Sequence, residues 1–550
     1  MKPLKMLAVP AVAVALASAL ASGVSAQPAS GAASAERIRA HMGFLASDLL
    51  EGREAGTRGY DIAAEYAAAQ FALLGLKPAG DAGSYFQTVP MVSARAVDEG
   101  RLVVKGRTGT TALVHGEDYL VARNPAAAET KVAAPLVFVG YGVVAPEKGR
   151  DDYKGLDVKG KIVVALDGAP KAFQSEERAY YRSGRTKRLE AAKRGAVGFI
   201  EVNTPTSEKM RPFDQSARNW KTWAMTWRAP GGGPFVVAPE TPLLASVSVK
   251  GAAKLFAGAK VPLETIYAAA DAPKGVTPRF ALPASAEAAF RTELKETQSR
   301  NVAALLEGSD TALKAETVVL SAHLDHVGVR ETKDGEDGLH NGALDNAGGV
   351  ATTFEVARAF VESGEKPKRS VLFLLVTAEE KGLVGAEYFA RNPTPGVGTM
   401  VANVNLDMPI LTYDFSDVVA FGAERSAIGP AVQRAAARVG VALSPDPLPD
   451  EGLFTRSDHY RFVEAGVPSV FLMTGFAEGG EEKFRGFLAG CYHKPCDDLS
   501  QPIDYAAGAK FAKINYEIAR ELADADRRPA WNRGDFFAGR FATDRMVADR

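Results

Sequence analysis

Five short runs between Ala322 and Lys494 gather imidazoles and carboxylates at spacings suited to metal chemistry. They are Ala322-His323-Leu324-Asp325-His326, Asn341-Gly342-Ala343-Leu344-Asp345-Asn346, Thr377-Ala378-Glu379-Glu380, Asn405-Leu406-Asp407 and Cys491-Tyr492-His493. Both donor types suit Zn²⁺, and two adjacent ions need an oxygen shared between them, which a carboxylate supplies. No single run is rare. Their combination carries the inference, because each ends an apolar stretch or lies in a Gly-rich turn.

His323 and Asp325 stand two apart, so in an extended segment both side chains share one face. One His323 nitrogen would then take a metal while Asp325 accepts the proton on the other, fixing the tautomer. By the same alternation His326 points away and reads as a neighbour, not a ligand. His41, His115 and His340 read as ordinary histidines. Asp345 opens a predicted helix, where it is either an N-cap or a carboxylate whose two oxygens bridge two metals. The glycines around it allow the tight turn that bridging requires.

Glu379 and Glu380 follow Leu372-Phe373-Leu374-Leu375-Val376, which reads as a buried strand. Adjacent carboxylates there repel each other and resist desolvation unless cations sit nearby. With metals present, one would ligate and the other would take a proton from an attacking water. Without them, the pair is the acidic first turn of a solvated helix. Asp407 is a terminal ligand or a loop cap. Asp458 and His459 serve as ligands or as structural groups under a pocket.

The elements that must position these groups follow from periodicity. Ile38, Met42, Leu45 and Leu49, then Ile62, Tyr66, Ala69 and Leu73, repeat at helical spacing, so 35–91 reads as mostly helical. From about 95 to 290 short β-rich runs (102–104, 135–139, 161–166, 197–202, 243–247) and one helix (185–194) suggest an inserted domain, here bounded at 96–290. Trp220, Trp223 and Trp227 precede a Gly-rich turn there and read as a domain seam or, less readily, a substrate lid. The segments 35–95 and 291–526 form the main domain, and 527–550 a peripheral tail. After residue 295, strands at 318–321, 370–376, 402–406 and 469–473 alternate with helices at 348–363, 383–391, 427–439 and 505–522. That pattern predicts an α/β fold, a mostly parallel mixed sheet flanked by helices, with functional groups beyond the carboxyl ends of its strands.

Residues 1–26 read as a secretory signal peptide, with Lys2 and Lys5, an apolar run and Val24-Ser25-Ala26 before Gln27. No later stretch is long and apolar enough to predict a membrane span in the mature chain. The formal charge of −1 lacks the basic excess of a nucleic-acid surface. Cys491 and Cys496 bracket His493, and in an exported chain such a pair reads as a disulfide before two thiolate ligands. Its small loop adds little global stability but stiffens the segment carrying His493.

Taken together, these runs resemble the M28 family of co-catalytic zinc peptidases, in the aminopeptidase group that carries an inserted protease-associated (PA) domain. Phe44-Leu45-Ala46-Ser47-Asp48, Glu51-Gly52-Arg53-Glu54-Ala55-Gly56, Ser457-Asp458-His459 and Gly466-Val467-Pro468 fit the same likeness. The resemblance implies two Zn²⁺ per chain: Asp345 bridging, His323 and Asp407 on one ion, Glu380 and His493 on the other. It further implies Glu379 as general base, Asp325 as the partner of His323, a cis Asp345-Asn346 bond and the Cys491–Cys496 disulfide. The expected activity is removal of N-terminal residues from peptides with a free amino terminus, outside the cytoplasm, in the periplasm or secreted. A carboxypeptidase or dipeptidase, a glutaminyl cyclase and a non-catalytic binding protein are the alternatives, and cobalt or manganese could partly replace zinc.

Overall fold

A computed structural model describes residues 33–548 apart from 108 and 334. The expected signal peptide, 1–26, lies outside the described residues. Among those described, no helix is long and apolar enough to cross a membrane.

The chain opens with α1 (Ala35–Leu45), capped by the Ser34 hydroxyl, and α2 (Arg58–Leu73), capped by Thr57. The buried stripe of α2 differs from the one expected. Tyr60, Ala63, Ala64, Ala67 and Phe71 face inward, whereas Ile62 and Leu73 are exposed. The small alanines allow close approach to the core, and Phe71 anchors the contact, 5.3 Å from Phe354 and 6.1 Å from Phe373 by ring centroid.

In chain order the principal strands begin with β1 (Phe86–Ala96), β2 (Arg101–Gly106), β3 (Tyr119–Val121), β4 (Glu129–Phe138), β5 (Ile162–Leu166), β6 (Gly198–Val202) and β7 (Ala224–Trp227). They continue with β8 (Leu243–Val247), β9 (Phe280–Leu306), β10 (Glu316–His323), β11 (Ser370–Val376), β12 (Thr399–Leu406), β13 (Asp417–Phe421) and β14 (Ser469–Thr474). The strand that begins at Phe86 corrects the end of the stretch 35–91 read as mostly helical.

Two sheets share β9. Its first part, to Arg291, pairs antiparallel with β2 and β4, and β4, β5, β6 and β8 continue that smaller sheet in parallel, with β3 antiparallel at its edge. From Thr292 onward β9 lies between β1 and β11 in the larger sheet. There β11, β10, β12 and β14 run parallel, with antiparallel strands on both flanks. The expected mixed α/β sheet is present. β7 pairs with β1, so the chain returns to the larger sheet within the 96–290 segment.

The parallel strands are buried on both faces. Phe373 and Leu375 of β11 meet α1, α2, α4 (Gly348–Glu362, after α3 at Gly184–Ala192) and, later in the chain, Tyr505–Asp524. Leu372, Leu374 and Val376 meet α5 (Val384–Arg391) and the helix His459–Glu464 on the other face. This two-sided burial explains the unbroken apolar run.

The C-terminal segment is not peripheral. Trp531 and Phe537 are fully buried in the main core, and Trp531 donates its indole N–H to Gly466 O at 2.8 Å. Arg425 and Asp535, 3.0 Å apart, pin the same segment. Two large aromatic rings outweigh the solubility of the charges around them.

Candidate metal centre

His323 ends β10, Asp407 follows β12, and Glu379 and Glu380 follow β11, so three adjacent parallel strands deliver their polar residues to one edge. The backbone turns sharply at these points: Ala378, Met408 and His493 all have positive φ, at 55°, 43° and 53°. For non-glycine residues such values are costly and cluster where function fixes geometry.

Asp345 lies in the turn Ala343–Ala347 that leads into α4 and does not cap it; the neighbouring Asn346 Oδ1 instead accepts the Gly349 amide of the first turn at 3.1 Å. The Asp345-Asn346 peptide is cis. Gly342 is required here: its φ is +64°, and a Cβ would sit 2.5 Å from His326 Cγ and 2.3 Å from Asp345 O.

The two oxygens of Asp345 face different groups. Oδ1 lies 3.1 Å from His323 Nε2, which is also 3.0 Å from Asp407 Oδ1. Oδ2 lies 3.3 Å from His493 Nε2, which is 3.0 Å from Glu380 Oε2. All five expected ligands are therefore brought together, in two sets that share one carboxylate. His326 differs from expectation. Its Nδ1 is 2.8 Å from Glu380 Oε1 and 3.9 Å from Asp345 Oδ2. The extended alternation that turned it away ends at His323, where the strand stops.

Asp325 also acts differently. His323 Nδ1 bonds the backbone carbonyl of Asp325 at 3.0 Å, not its carboxylate. That carboxylate instead accepts the Glu379 amide at 3.1 Å and the Glu380 amide at 3.4 Å. It sets the turn carrying both glutamates. Those glutamates precede α5 and do not form its first turn.

Several positioning groups escaped the sequence reading. Arg53, essentially buried, donates to Leu324 O (2.9 Å), Asn341 O (2.6 Å), Gly342 O (3.0 Å) and Leu45 O. Asp497 accepts the amides of Leu344 (2.8 Å) and Asp345 (3.0 Å). Ser457 donates to Asp407 Oδ2, leaving Oδ1 for His323, and Asn405 donates to Ser457 at 2.7 Å. The only sequence signal was a polar residue inside an apolar run or a quoted motif. Asp458 and His459 are buried outside both sets. His459 sits between Phe454 and Phe471, and burial pushes its pKa down to about 3.

Cys491 and Cys496 are bonded, with Cα atoms 5.2 Å apart. The Tyr492 ring stacks on His493 at 3.9 Å. His493 is the open side of the centre, with its side chain 34% exposed against 3% for Asp345.

The donor set fits a pair of divalent cations. Asp325, Asp345, Glu379, Glu380 and Asp407 crowd one region, and without metal ions only the protonated imidazoles of His323 and His493 offset their repulsion. Burial, then repulsion by Glu380, holds the Glu379 pKa well above the usual carboxylate range. Burial opposes charge on His493, yet Asp345 and Glu380 offset it and push the pKa up to about 10. His326 Nδ1 and Glu380 Oε1, both buried, lie 2.8 Å apart beside Asp345. An imidazole nitrogen and a carboxylate oxygen brought together beside a third carboxylate suit one divalent ion. The sets His323-Asp345-Asp407 and His326-Asp345-Glu380 each bring their donor atoms within 4.8 Å of one another.

Residues 301–519 match the model of peptidase family M28. Over 189 residues the chain is 29% identical to leupeptin-inactivating enzyme 1 of Streptomyces exfoliatus, covering 32% of this chain and 41% of that protein. Over 217 residues it is 27% identical to a Pyricularia oryzae protein named "Probable zinc metalloprotease", covering 34% of this chain and 42% of that one. The chain thus spans under half the length of these relatives. Its fold is similar to that of the aminopeptidase from Aneurinibacillus sp. strain AM-1, with a TM-score of 0.50 at 20% identity over 90% of this chain and 95% of that one.

Proposed function

We propose that this protein, whose residues 301–519 match the model of peptidase family M28, is an exported di-zinc aminopeptidase acting on peptides with a free N-terminus. The observation that carries this reading is the division of Asp345, one oxygen toward His323 and the other toward His493. Asp345, His323 and Asp407 would hold one zinc, and Asp345, Glu380 and His493 the other. When bound, such a pair acidifies a water and polarises the scissile carbonyl.

Glu379 is the general base. Among the described residues no side chain hydrogen-bonds its carboxylate, while its amide is fixed by Asp325, so it is aimed but free to take a proton. It accepts a proton from the attacking water and passes it to the leaving amine. The similarity of the fold to that of the Aneurinibacillus aminopeptidase supports the choice of a free N-terminus. The disulfide supports export to an oxidising compartment. The body built on β2 to β6 and β8 is read as a PA-like domain, inserted over about 96–290.

The test is metal analysis of the purified protein together with hydrolysis of aminoacyl-arylamides, free and N-acetylated. About two zincs per chain and cleavage only of free amines is the expected result. Two zincs with cleavage confined to peptides bearing a free C-terminal carboxylate would replace this reading with a carboxypeptidase. Failure to bind zinc would end it.

A further inference from the structure

A cavity of about 590 Å³ lies where the smaller sheet meets the helix α5. This volume falls within the range of ligand sites. Its lining includes Gly382, in the loop that follows Glu380, and Val384, the first residue of α5. The Gly382 amide donates to Glu379 O at 2.8 Å, so the cavity begins about 7 Å or less along the backbone from the glutamate pair. Its walls are partly apolar, with Trp220, Met225 and Phe235.

Its charge is one-sided. Arg123, Arg185 and Arg188 line it, against Glu387 alone. Glu387 is already engaged, 2.6 Å from Arg185 and 3.4 Å from Arg391. Arg123 and Arg188 make no hydrogen bond or ion pair among the described residues. Arg123 is exposed and Arg188 half-buried, and the acid felt by Arg188 is Glu201, outside the cavity lining. Two guanidinium groups beside apolar walls, without carboxylates of their own, are geared to bidentate recognition of an anion. Arg185 and Arg188 are one helical turn apart on α3, and Arg123 comes from the loop after β3.

We propose that this groove binds carboxylates of the peptide substrate downstream of the scissile bond, through Arg123 and Arg188. The proposal rests on the aminopeptidase reading and gives it a substrate class: peptides with Asp or Glu a few residues from the N-terminus, or short peptides held by their C-terminal carboxylate. The smaller domain then selects substrate and is more than a spacer.

The test uses the zinc-loaded full-length mature protein and hexapeptides beginning with one residue, carrying either two Glu or two Lys at positions four and five, each as free acid and as C-terminal amide. An aminoacyl-arylamide, too short to reach the groove, reports the metal centre alone. The expected result is about tenfold higher kcat/KM for Glu over Lys peptides, falling to near parity in Arg123→Gln/Arg188→Gln, with arylamide turnover retained. A preference that persists in the amides assigns the groove to acidic side chains; one confined to the free acids assigns it to the C-terminus. Equal kcat/KM for all peptides, or an equal loss on the arylamide, overturns the proposal. Should nothing be hydrolysed, the aminopeptidase reading fails, and the groove is judged by Trp220 fluorescence on titration with the N-acetylated Glu peptide. A saturable change lost in the double variant and in Trp220→Phe supports the groove, and a flat titration refutes it.

Discussion

His326 Nδ1 and Glu380 Oε1 lie 2.8 Å apart, both buried. Their lone pairs converge beside Asp345 Oδ2, on the His493 side of the centre. His326 therefore either ligates the second metal or fixes Glu380 for it. Replacing it with Ala should weaken one of two zinc equivalents by about 10- to 100-fold and leave the other unchanged. Calorimetric zinc titration measures this directly, and two unaltered equivalents would remove His326 from the centre.

Glu379 should separate chemistry from binding. Glu379→Gln is expected to lower kcat by about 10²–10⁴ while retaining the full zinc content. A variant that loses zinc in proportion to activity would instead make Glu379 a ligand.

Arg53 joins the end of α1 to two of the ligand-bearing segments, those of His323 and Asp345, through four carbonyl oxygens. Burial lowers its pKa to about 10, and Asp497, Asp325 and Asp345 help keep it charged. Arg53→Met leaves those carbonyls and carboxylates uncompensated, at a cost of about 3–5 kcal/mol. Chemical denaturation of the metal-free protein should show that loss. A change under about 0.5 kcal/mol, the scale of ordinary surface substitutions, would mean that the clamp contributes nothing.

His41 predicts an acid limb unrelated to the metals. It is buried against Phe354 and bonded to the Tyr66 hydroxyl at 2.8 Å, and burial pushes its pKa down to about 4. Between pH 6.5 and 4 the unfolded chain binds a proton that the folded one refuses. This contribution is therefore full above pH 6.5 and is lost as pH falls toward 4, by roughly 3 kcal/mol. His41→Phe should flatten that part of the stability profile relative to wild type, measured by urea midpoints across the window. Parallel profiles would contradict it.

The sequence by itself determined the donor set and the places where it is presented. His323, Glu379, Glu380 and Asp407 stood out as candidates because they end apolar runs, and Asp345 because it sits in a Gly-rich turn, whereas His493 and the division of roles came only from the resemblance to M28 peptidases. The four central parallel strands were legible from the same apolar runs. Tertiary structure decided the rest. β9 spans Phe280–Leu306, an Ala- and charge-rich stretch with little strand propensity, and it is extended because strands pair along both of its edges. The orientation of His326, the true partner of Asp325 and the grips of Arg53, Ser457 and Asp497 depend on contacts between residues tens to hundreds of positions apart. Trp531 is buried for the same reason, since only the assembled core offers it a site. Local pattern fixes which chemistry is available; long-range packing fixes which atoms meet.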